Sequence, residues 1–128
     1  MPFVAVVDDE EPVRKALKRL LRAAGLEAEA YASGAEFLEG AASRPPACVV
    51  LDLHMPVMNG QQLLQHIREM GPPIPVVVIT AHDTPETHAQ CLAAGAAAYL
   101  RKPLDDRVLL SAISAALSKS AMRDRRPS

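Results

Sequence analysis

The chain has 128 residues, of which 49% are hydrophobic and 23% charged, and its formal net charge is -1. This length suits one domain that buries its core without a disulfide or a structural metal. The balanced charge and the 3% aromatic content argue against direct nucleic-acid binding, and no apolar run reaches the ~20 residues of a membrane span. We find no export signal, and Cys48 and Cys91 lie outside any metal-ligand spacing, so we expect a cytoplasmic protein with reduced thiols.

The hydrophobic pattern alternates between the periods of strands and helices. Short β-branched runs typical of strands buried on both faces occur at Phe3–Val7, Cys48–Leu51 and Pro75–Ile79, and weaker strands are predicted at Glu27–Tyr31 and Ala97–Leu100. Helical spacing follows each strand, and we predict helices over residues 13–24, 34–43, 60–70, 84–94 and 105–119. This succession predicts an α/β fold with a doubly wound parallel sheet and right-handed crossovers.

Polar residues follow four of the predicted strands. Asp8 and Asp9 follow the first strand, Asp52 the third, Thr80 the fourth and Lys102 the fifth. Ligands of open α/β sheets bind outside the carboxyl ends of the strands. We therefore expect these side chains to converge at one edge of the sheet.

The three aspartates predict a metal site. Two carboxylates about 4 Å apart repel each other by on the order of 4 kcal/mol at an effective dielectric near 20, and a dication among them relieves that repulsion. A site with oxygen ligands alone suits Mg²⁺, with Mn²⁺ as a substitute. The neighbouring Glu10 and Glu11 are better explained as solvated acids at a helix N-terminus.

Asp52 ends a hydrophobic run, where an uncompensated charge is expensive. It could be a capping or turn acid. A carboxylate beside Mg²⁺ can also attack phosphorus, and phosphoryl transfer needs positioning and positive donors more than acid–base groups. Lys102 could supply the point charge and Thr80 a hydroxyl, so the set indicates phosphoryl transfer onto Asp52.

Four segments resemble the receiver domains of two-component response regulators: VVDDEEPVR (Val6–Arg14), VVLDLHMPVMNG (Val49–Gly60), VVVITAHD (Val76–Asp83) and AAGAAAYLRKP (Ala93–Pro103). The resemblance covers residues 1–118 and is greatest to the FixJ-type regulators. It implies the flavodoxin-like (βα)5 fold with strand order 2-1-3-4-5.

The resemblance also implies roles for individual residues. Asp52 is expected to accept a phosphoryl group from a sensor histidine kinase or a phosphotransfer protein. Asp9, Asp52 and the main-chain carbonyl of His54 are expected to bind Mg²⁺, and Asp8 to hold the ion through water. Lys102 is expected to contact the phosphoryl group.

A conformational switch is implied as well. The Lys102–Pro103 bond is expected to be cis, Thr80 to move toward the phosphoryl group and Tyr99 to rotate inward behind it. Helix 84–94 offers mostly Ala, Cys91 and Leu92 to the sheet, so we expect it to be weakly anchored and to shift, changing the binding of a partner or a second receiver. Tyr99 could instead be a sheet-edge aromatic with its hydroxyl in water.

The remaining charged and titratable residues support two interpretations each. The four histidines share no metal-ligand spacing, so we do not expect them to bind metal; His54 and His82 either influence the phosphoryl lifetime, as the resemblance implies, or are exposed loop residues. The polar face of the first helix is either solvated or a docking surface for the phosphodonor; it carries Arg14, Lys15, Lys18, Arg19 and Arg22.

The C-terminal segment 119–128 carries a charge of +3, against -4 for residues 1–118. We expect it to be a flexible tail or the start of a linker to a DNA-binding domain, so the chain is either a stand-alone receiver or the receiver part of a transcription regulator.

Two other functions compete with the receiver. A haloacid-dehalogenase-type phosphatase also uses Asp, Thr, Lys and Mg²⁺, but it needs a second Asp where this chain has His54 and a cap domain that is not visible here. An unphosphorylated interaction module is disfavoured because every residue required for phosphorylation is present.

Overall fold

Strands and helices alternate five times along the chain. The computed structural model describes residues 2–55, 58–70 and 74–124, the last six of them by their backbone alone. In chain order the elements are β1 (Val4–Val7), α1 (Glu11–Ala23), β2 (Ala28–Tyr31), α2 (Gly34–Ser43), β3 (Cys48–Asp52), α3 (Gly60–Glu69), β4 (Val76–Thr80), α4 (Pro85–Ala93), β5 (Ala98–Arg101) and α5 (Asp106–Asp124). The predicted (βα)5 order is confirmed.

The five strands form one parallel sheet in the order β2-β1-β3-β4-β5. β3 is the middle strand, and its register places Leu51 beside Val7 of β1 and Asp52 beside Ile79 of β4. The predicted strand order is confirmed, and Asp52 lies at the carboxyl end of the centre of the sheet.

Side chains of β1, β3 and β4 are buried on both faces of the sheet, because helices cover each face. On one face they pack with Phe37, Leu63, Ile67 and Cys91 of α2, α3 and α4. On the other they pack with Leu17, Leu21, Leu109 and Ile113 of α1 and α5. Full burial of a side chain of this size contributes about 1.5–3 kcal/mol, so these two layers are the main source of stability.

The helix ends follow local signals in the sequence. Thr84 precedes α4, and its Oγ1 accepts a hydrogen bond from the Thr87 amide at 3.0 Å. Gly25 and Gly95 follow α1 and α4 with φ angles of 83° and 96°, a region that favours glycine. Helices α1 and α4 therefore end within one residue of the predicted ends at 24 and 94.

Two details differ from the sequence expectations. Helix α5 continues to Asp124 rather than ending at 119, because no glycine or proline interrupts the sequence before Pro127. Residues 125–128 of the predicted tail lie outside the described residues. In α4, Cys91 is buried but Leu92 is 51% exposed. The prediction that Leu92 contacts the sheet is therefore wrong. Adjacent helical residues point about 100° apart, and Cys91 takes the inward direction.

No helix in the described part of the chain combines the length and apolar character needed to cross a membrane.

Candidate functional site

The predicted polar residues meet at the carboxyl edge of the sheet. Asp8 directly follows β1, Asp52 is the last residue of β3, Thr80 the last of β4, and Lys102 directly follows β5. The Lys102 amide donates a 2.8 Å hydrogen bond to the Thr80 carbonyl, which joins the ends of β5 and β4. The expected convergence is confirmed.

Three carboxylates form the centre of the site. One oxygen from each of Asp8, Asp9 and Asp52 lies within 4.8 Å of the others. Asp8 and Asp52 are buried and Asp9 is exposed. Oxygen donors that are open to solvent on one side fit Mg²⁺, which binds through few carboxylates and keeps several waters. The residues present therefore fit the expected ion.

Lys102 is the cation of this cluster. Its Nζ lies 3.4 Å from Oδ2 of Asp8 and 3.8 Å from Oδ2 of Asp52, and its side chain is 20% exposed. Arg14 approaches from α1 and donates a 2.9 Å hydrogen bond to the main-chain carbonyl of Asp8. One ammonium group faces three carboxylates, so the cluster favours a further cation.

Burial and charge together raise the pKa of Asp52. Desolvation is the largest cause, and the carboxylates of Asp8 and Asp9 raise the pKa further. The hydrogen bond from the His54 amide and the charge of Lys102 lower it but do not cancel the increase. The surroundings of Asp52 in the folded protein therefore disfavour the ionised form of its carboxyl group.

The same short turn fixes the side-chain oxygen at three strand ends. The Glu10 amide donates to Oδ1 of Asp8 at 2.9 Å, and the His54 amide donates to Oδ1 of Asp52 at 3.2 Å. The His82 amide donates to Oγ1 of Thr80 at 3.0 Å. Asp and Thr side chains commonly bond the backbone two residues on, so the local sequence itself orients these oxygens.

Helix α3 packs closely against the end of β3 at Gly60. The Gly60 amide donates to the Leu53 carbonyl at 3.0 Å, and a Cβ on Gly60 would lie 2.5 Å from Cα of Leu53 and 2.7 Å from the Asp52 carbonyl oxygen. Asn59 is the N-cap of α3 and forms a capping box with Gln62, which the Asn-x-x-Gln spacing could have revealed.

Comparison with known proteins places this chain in a family. Residues 4–114 match the family model of the response regulator receiver domain. The chain belongs to this family. It is a signalling domain rather than an enzyme of the usual kind.

Individual relatives agree with this assignment. The receiver is 34% identical over 122 residues to the transcriptional regulatory protein FixJ of Azorhizobium caulinodans, covering 95% of this chain and 58% of FixJ. A response regulator receiver protein from Burkholderia phymatum is 44% identical with a TM-score of 0.80, over 92% of this chain and 96% of that one. The crystal structure of FixJ-N is 36% identical with a TM-score of 0.85, over 92% and 94%.

The receiver spans only part of its curated relatives, from 25% of DNA-binding transcriptional regulator NtrC of Escherichia coli to 58% of FixJ.

The Lys102–Pro103 bond of the receiver is cis, as expected.

The Tyr99 hydroxyl is buried and has no hydrogen-bond partner among the described residues, so the interpretation that placed it in water is wrong. Burial, with a smaller effect of Asp83, raises the pKa of Tyr99 to about 12. The ring of His88 on α4 stacks on the Tyr99 ring at 4.5 Å and 11°. Sequence reasoning gave His88 no role, and no local signal pairs it with Tyr99.

His54 and His82 are both exposed, and their rings lie 4.1 Å apart at an angle of 57°. The sequence left their role open and did not place them together. Their equal offset from the ends of adjacent strands was the available signal.

Proposed function

We propose that this receiver accepts a phosphoryl group on Asp52 from a sensor histidine kinase or a phosphotransfer protein, with Mg²⁺ as cofactor and Mn²⁺ as a substitute. The observation that carries the proposal is the carboxylate cluster of Asp8, Asp9 and Asp52 around the Lys102 ammonium group. Asp9, Asp52 and the His54 carbonyl are the proposed ligands, and Asp8 would hold the ion through water.

In the proposed reaction, an Asp52 oxygen attacks the phosphorus of a phosphohistidine. The new O–P bond forms an acyl phosphate while the N–P bond breaks and the imidazole leaves. The His54 amide orients the carboxylate through its hydrogen bond, and Lys102 is close enough to turn from the carboxylates to a phosphoryl oxygen. Mg²⁺, when bound, neutralises phosphoryl oxygens and aligns them for transfer.

The proposed output is a shift of α4 coupled to Thr80 and Tyr99. A phosphoryl group adds charge and acceptor oxygens that can attract the Thr80 hydroxyl away from the His82 amide. The buried Tyr99 hydroxyl forms no hydrogen bond within the part of the chain that the structure describes, and Cys91 is the one buried residue of α4, so few contacts oppose a movement of either element. The altered surface would then bind a partner or a second receiver.

The α1 surface supports the docking of the phosphodonor. A cavity of about 610 Å³ lies between α1 and the loop before α5, and its lining includes Val13, Ala16, Leu20 and Lys102. Basic side chains line a second cavity on the same helix: Lys15, Lys18, Arg19 and Arg22. Lys102 lines the first of these cavities, which we call the groove of α1, and also belongs to the phosphoacceptor site. A phosphodonor bound in the groove would therefore lie next to Asp52.

We propose further that the protein acts in the cytoplasm, with residues 1–118 as the receiver and residues 119–128, which α5 enters as far as Asp124, as a tail or the start of a linker, and that this chain does not itself bind nucleic acid. The phosphatase alternative has no support in the site, because His54 stands where that mechanism needs its second acid.

The test is phosphorylation with acetyl phosphate and Mg²⁺, followed by intact-mass analysis, with beryllofluoride as a stable substitute monitored by amide NMR shifts. We expect the mass of one phosphoryl group on the wild type, none on Asp52→Asn, and wild-type behaviour for Glu39→Gln, an exposed acid remote from the site. An unmodified wild type would leave the interaction module as the function. Turnover of a simple phosphate ester would favour the phosphatase instead.

A further inference from the structure

His54 and His82 form a pair of exposed imidazoles at the outer end of β3 and β4, with ring centroids 4.1 Å apart. We propose that the side chains of this pair bind a borderline-soft transition-metal ion, of the class of Zn²⁺ or Cu²⁺, at a site next to the carboxylate cluster that uses none of its carboxylates. The sequence spacing of the two histidines gives no such indication, because the contact is made between two loops.

The fold brings the two rings together for a definite reason. β3 and β4 are neighbours, and Asp52 at the end of β3 pairs with Ile79, next to the last residue of β4. Two residues on, the amides of His54 and His82 bond back to the side chains of Asp52 and Thr80 at 3.2 Å and 3.0 Å. Both loops therefore fix the main chain of their histidine before any ion arrives, which lowers the entropic cost of binding.

The two rings are close enough to reach a shared ion after a small movement. Imidazole nitrogens bind Zn²⁺ at about 2.0–2.1 Å, so two nitrogens on one tetrahedral ion lie roughly 3.3 Å apart. The centroids of two imidazoles bound to one such ion lie roughly 5 Å apart, so the rings of His54 and His82, whose centroids are 4.1 Å apart and whose planes are inclined by 57°, would have to separate by about 1 Å and rotate to share an ion. Two histidines alone leave coordination positions for water or a third donor.

The surroundings offer that third donor and the necessary space. A cavity of about 310 Å³ is lined by both histidines, Met55, Asn59 and Gln61. Met55 is packed in the apolar core, so the available further donors are the amide oxygens of Asn59 and Gln61 and water. Imidazole nitrogens select a different class of ion from the aspartate oxygens, so the two sites would not compete for Mg²⁺.

A bound ion would connect the loop after β3 to the loop after β4. The β4 loop begins at Thr80, which the proposed switch moves toward the phosphoryl group. Holding His82 against His54 would oppose that movement, so we expect the ion to slow phosphorylation of Asp52. This consequence rests on the proposed function, whereas ion binding itself does not.

The experiment is a titration of the receiver with Zn²⁺ in a large excess of Mg²⁺, measured by calorimetry and by the imidazole NMR signals. We expect one equivalent to bind to the wild type, and His54→Ala and His82→Ala each to weaken binding at least about tenfold. His66→Ala, which removes an exposed histidine of α3, and Asp9→Asn, which removes a carboxylate of the cluster, should retain the wild-type affinity. Circular dichroism without metal checks that each variant is folded.

Two results would overturn the proposal. Equal Zn²⁺ affinity for the wild type and both histidine variants would mean that the rings only stack. Loss of binding in Asp9→Asn would place the ion in the carboxylate cluster instead. Because Asp52→Asn cannot be phosphorylated but keeps both histidines, its Zn²⁺ affinity separates failure of this proposal from failure of the phosphoacceptor function.

Discussion

The ammonium nitrogen of Lys102 lies 3.4 Å from Oδ2 of Asp8, a carboxylate with no exposed surface. Removal of one partner from a buried ion pair leaves a charge without compensation, which is strongly destabilising. We therefore expect Lys102→Ala to lower the free energy of unfolding at pH 7 by about 3 kcal/mol in urea titrations.

The matched control is Lys15→Ala, which removes a lysine whose ion pair with Glu11 is exposed on both sides and should change stability by less than about 0.5 kcal/mol. Mg²⁺ should restore more stability to Lys102→Ala than to the wild type, because it replaces the missing positive charge. If Lys102→Ala and Lys15→Ala lower the free energy of unfolding equally, the contact between Lys102 and Asp8 does not stabilise the fold as predicted.

The raised pKa of Asp52 predicts that Asp52→Asn stabilises the metal-free protein at neutral pH. In the folded state burial makes the carboxyl group hold its proton more tightly than in the unfolded chain, where it ionises near 3.8. Its contribution to stability is therefore highest below that pH, falls as the pH rises through the folded pKa, and stays low at pH 7. We expect Asp52→Asn to unfold at a higher urea concentration than the wild type in EDTA.

Urea titrations at pH 7 and at mildly acidic pH check this sign. The advantage of Asp52→Asn should shrink as the pH falls toward 3.8 and below, where the carboxyl group becomes protonated in the unfolded chain as well. An advantage that is independent of pH would mean that the substitution acts through packing rather than charge.

The close approach of Gly60 to β3 predicts a large effect of one added methyl group. In Gly60→Ala the new Cβ meets the backbone of Leu53 and Asp52, which cannot rotate away, so we expect a loss of about 3 kcal/mol in chemical denaturation. In Gly34→Ala the nearest atom is Sδ of Met58, at the end of a flexible side chain, and the loss should stay below about 1 kcal/mol. Similar stabilities of the two variants would contradict the close contact.

The buried thiol of Cys48 predicts a decline of stability at alkaline pH. Desolvation raises the pKa of Cys48 from 9.0 to about 12, so the folded state keeps the proton that the unfolded chain loses first. The stability from this group is complete below pH 9 and falls between 9 and about 12. We expect Cys48→Ala to decline less steeply over this range, and the native thiol to resist iodoacetamide at pH 8.5. Rapid alkylation of the folded wild type would refute the prediction.

The stack of His88 on Tyr99 predicts that His88→Ala exposes the tyrosine. The chain has two tyrosines and no tryptophan, so a Tyr31→Phe background leaves Tyr99 as the reporter. Without the imidazole over its ring, Tyr99 should be more hydrated, and its pKa should fall from about 12 toward the ordinary value near 10 in a spectrophotometric titration. His66→Ala in the same background is the control, and an unchanged Tyr99 pKa in His88→Ala would assign the burial to other neighbours.

Local sequence patterns explain why the fold was predictable. The apolar runs of β1, β3 and β4 are continuous because both faces of these strands are covered, and Gly25 and Thr84 mark helix ends through their own backbone chemistry. Strand ends carry their side chains to one edge of a parallel sheet, so the convergence of Asp52 and Lys102 also followed from order alone. The Mg²⁺ ligand set came from the family resemblance and stays a prediction.

The features that escaped prediction depend on how elements rotate against each other. Cys91 and Leu92 are adjacent apolar residues of α4, and the sequence does not determine which of them faces the sheet. The rotation of α4 in the structure places Cys91 there. The contacts of His54 with His82 and of His88 with Tyr99 join separate elements through ring orientation. No local preference of either residue encodes such a contact.

The two faces of the sheet separate the proposed partners of this receiver. The groove of α1 lies on the face that packs Leu17 and Leu109, whereas α4 and Tyr99 lie on the opposite face with Cys91. On this proposal, a kinase and a downstream effector could bind at the same time, because they would use different surfaces of the receiver. The kinase would then not have to dissociate before the effector binds. The rate of signal transfer would depend on the phosphoryl chemistry at Asp52 rather than on kinase dissociation.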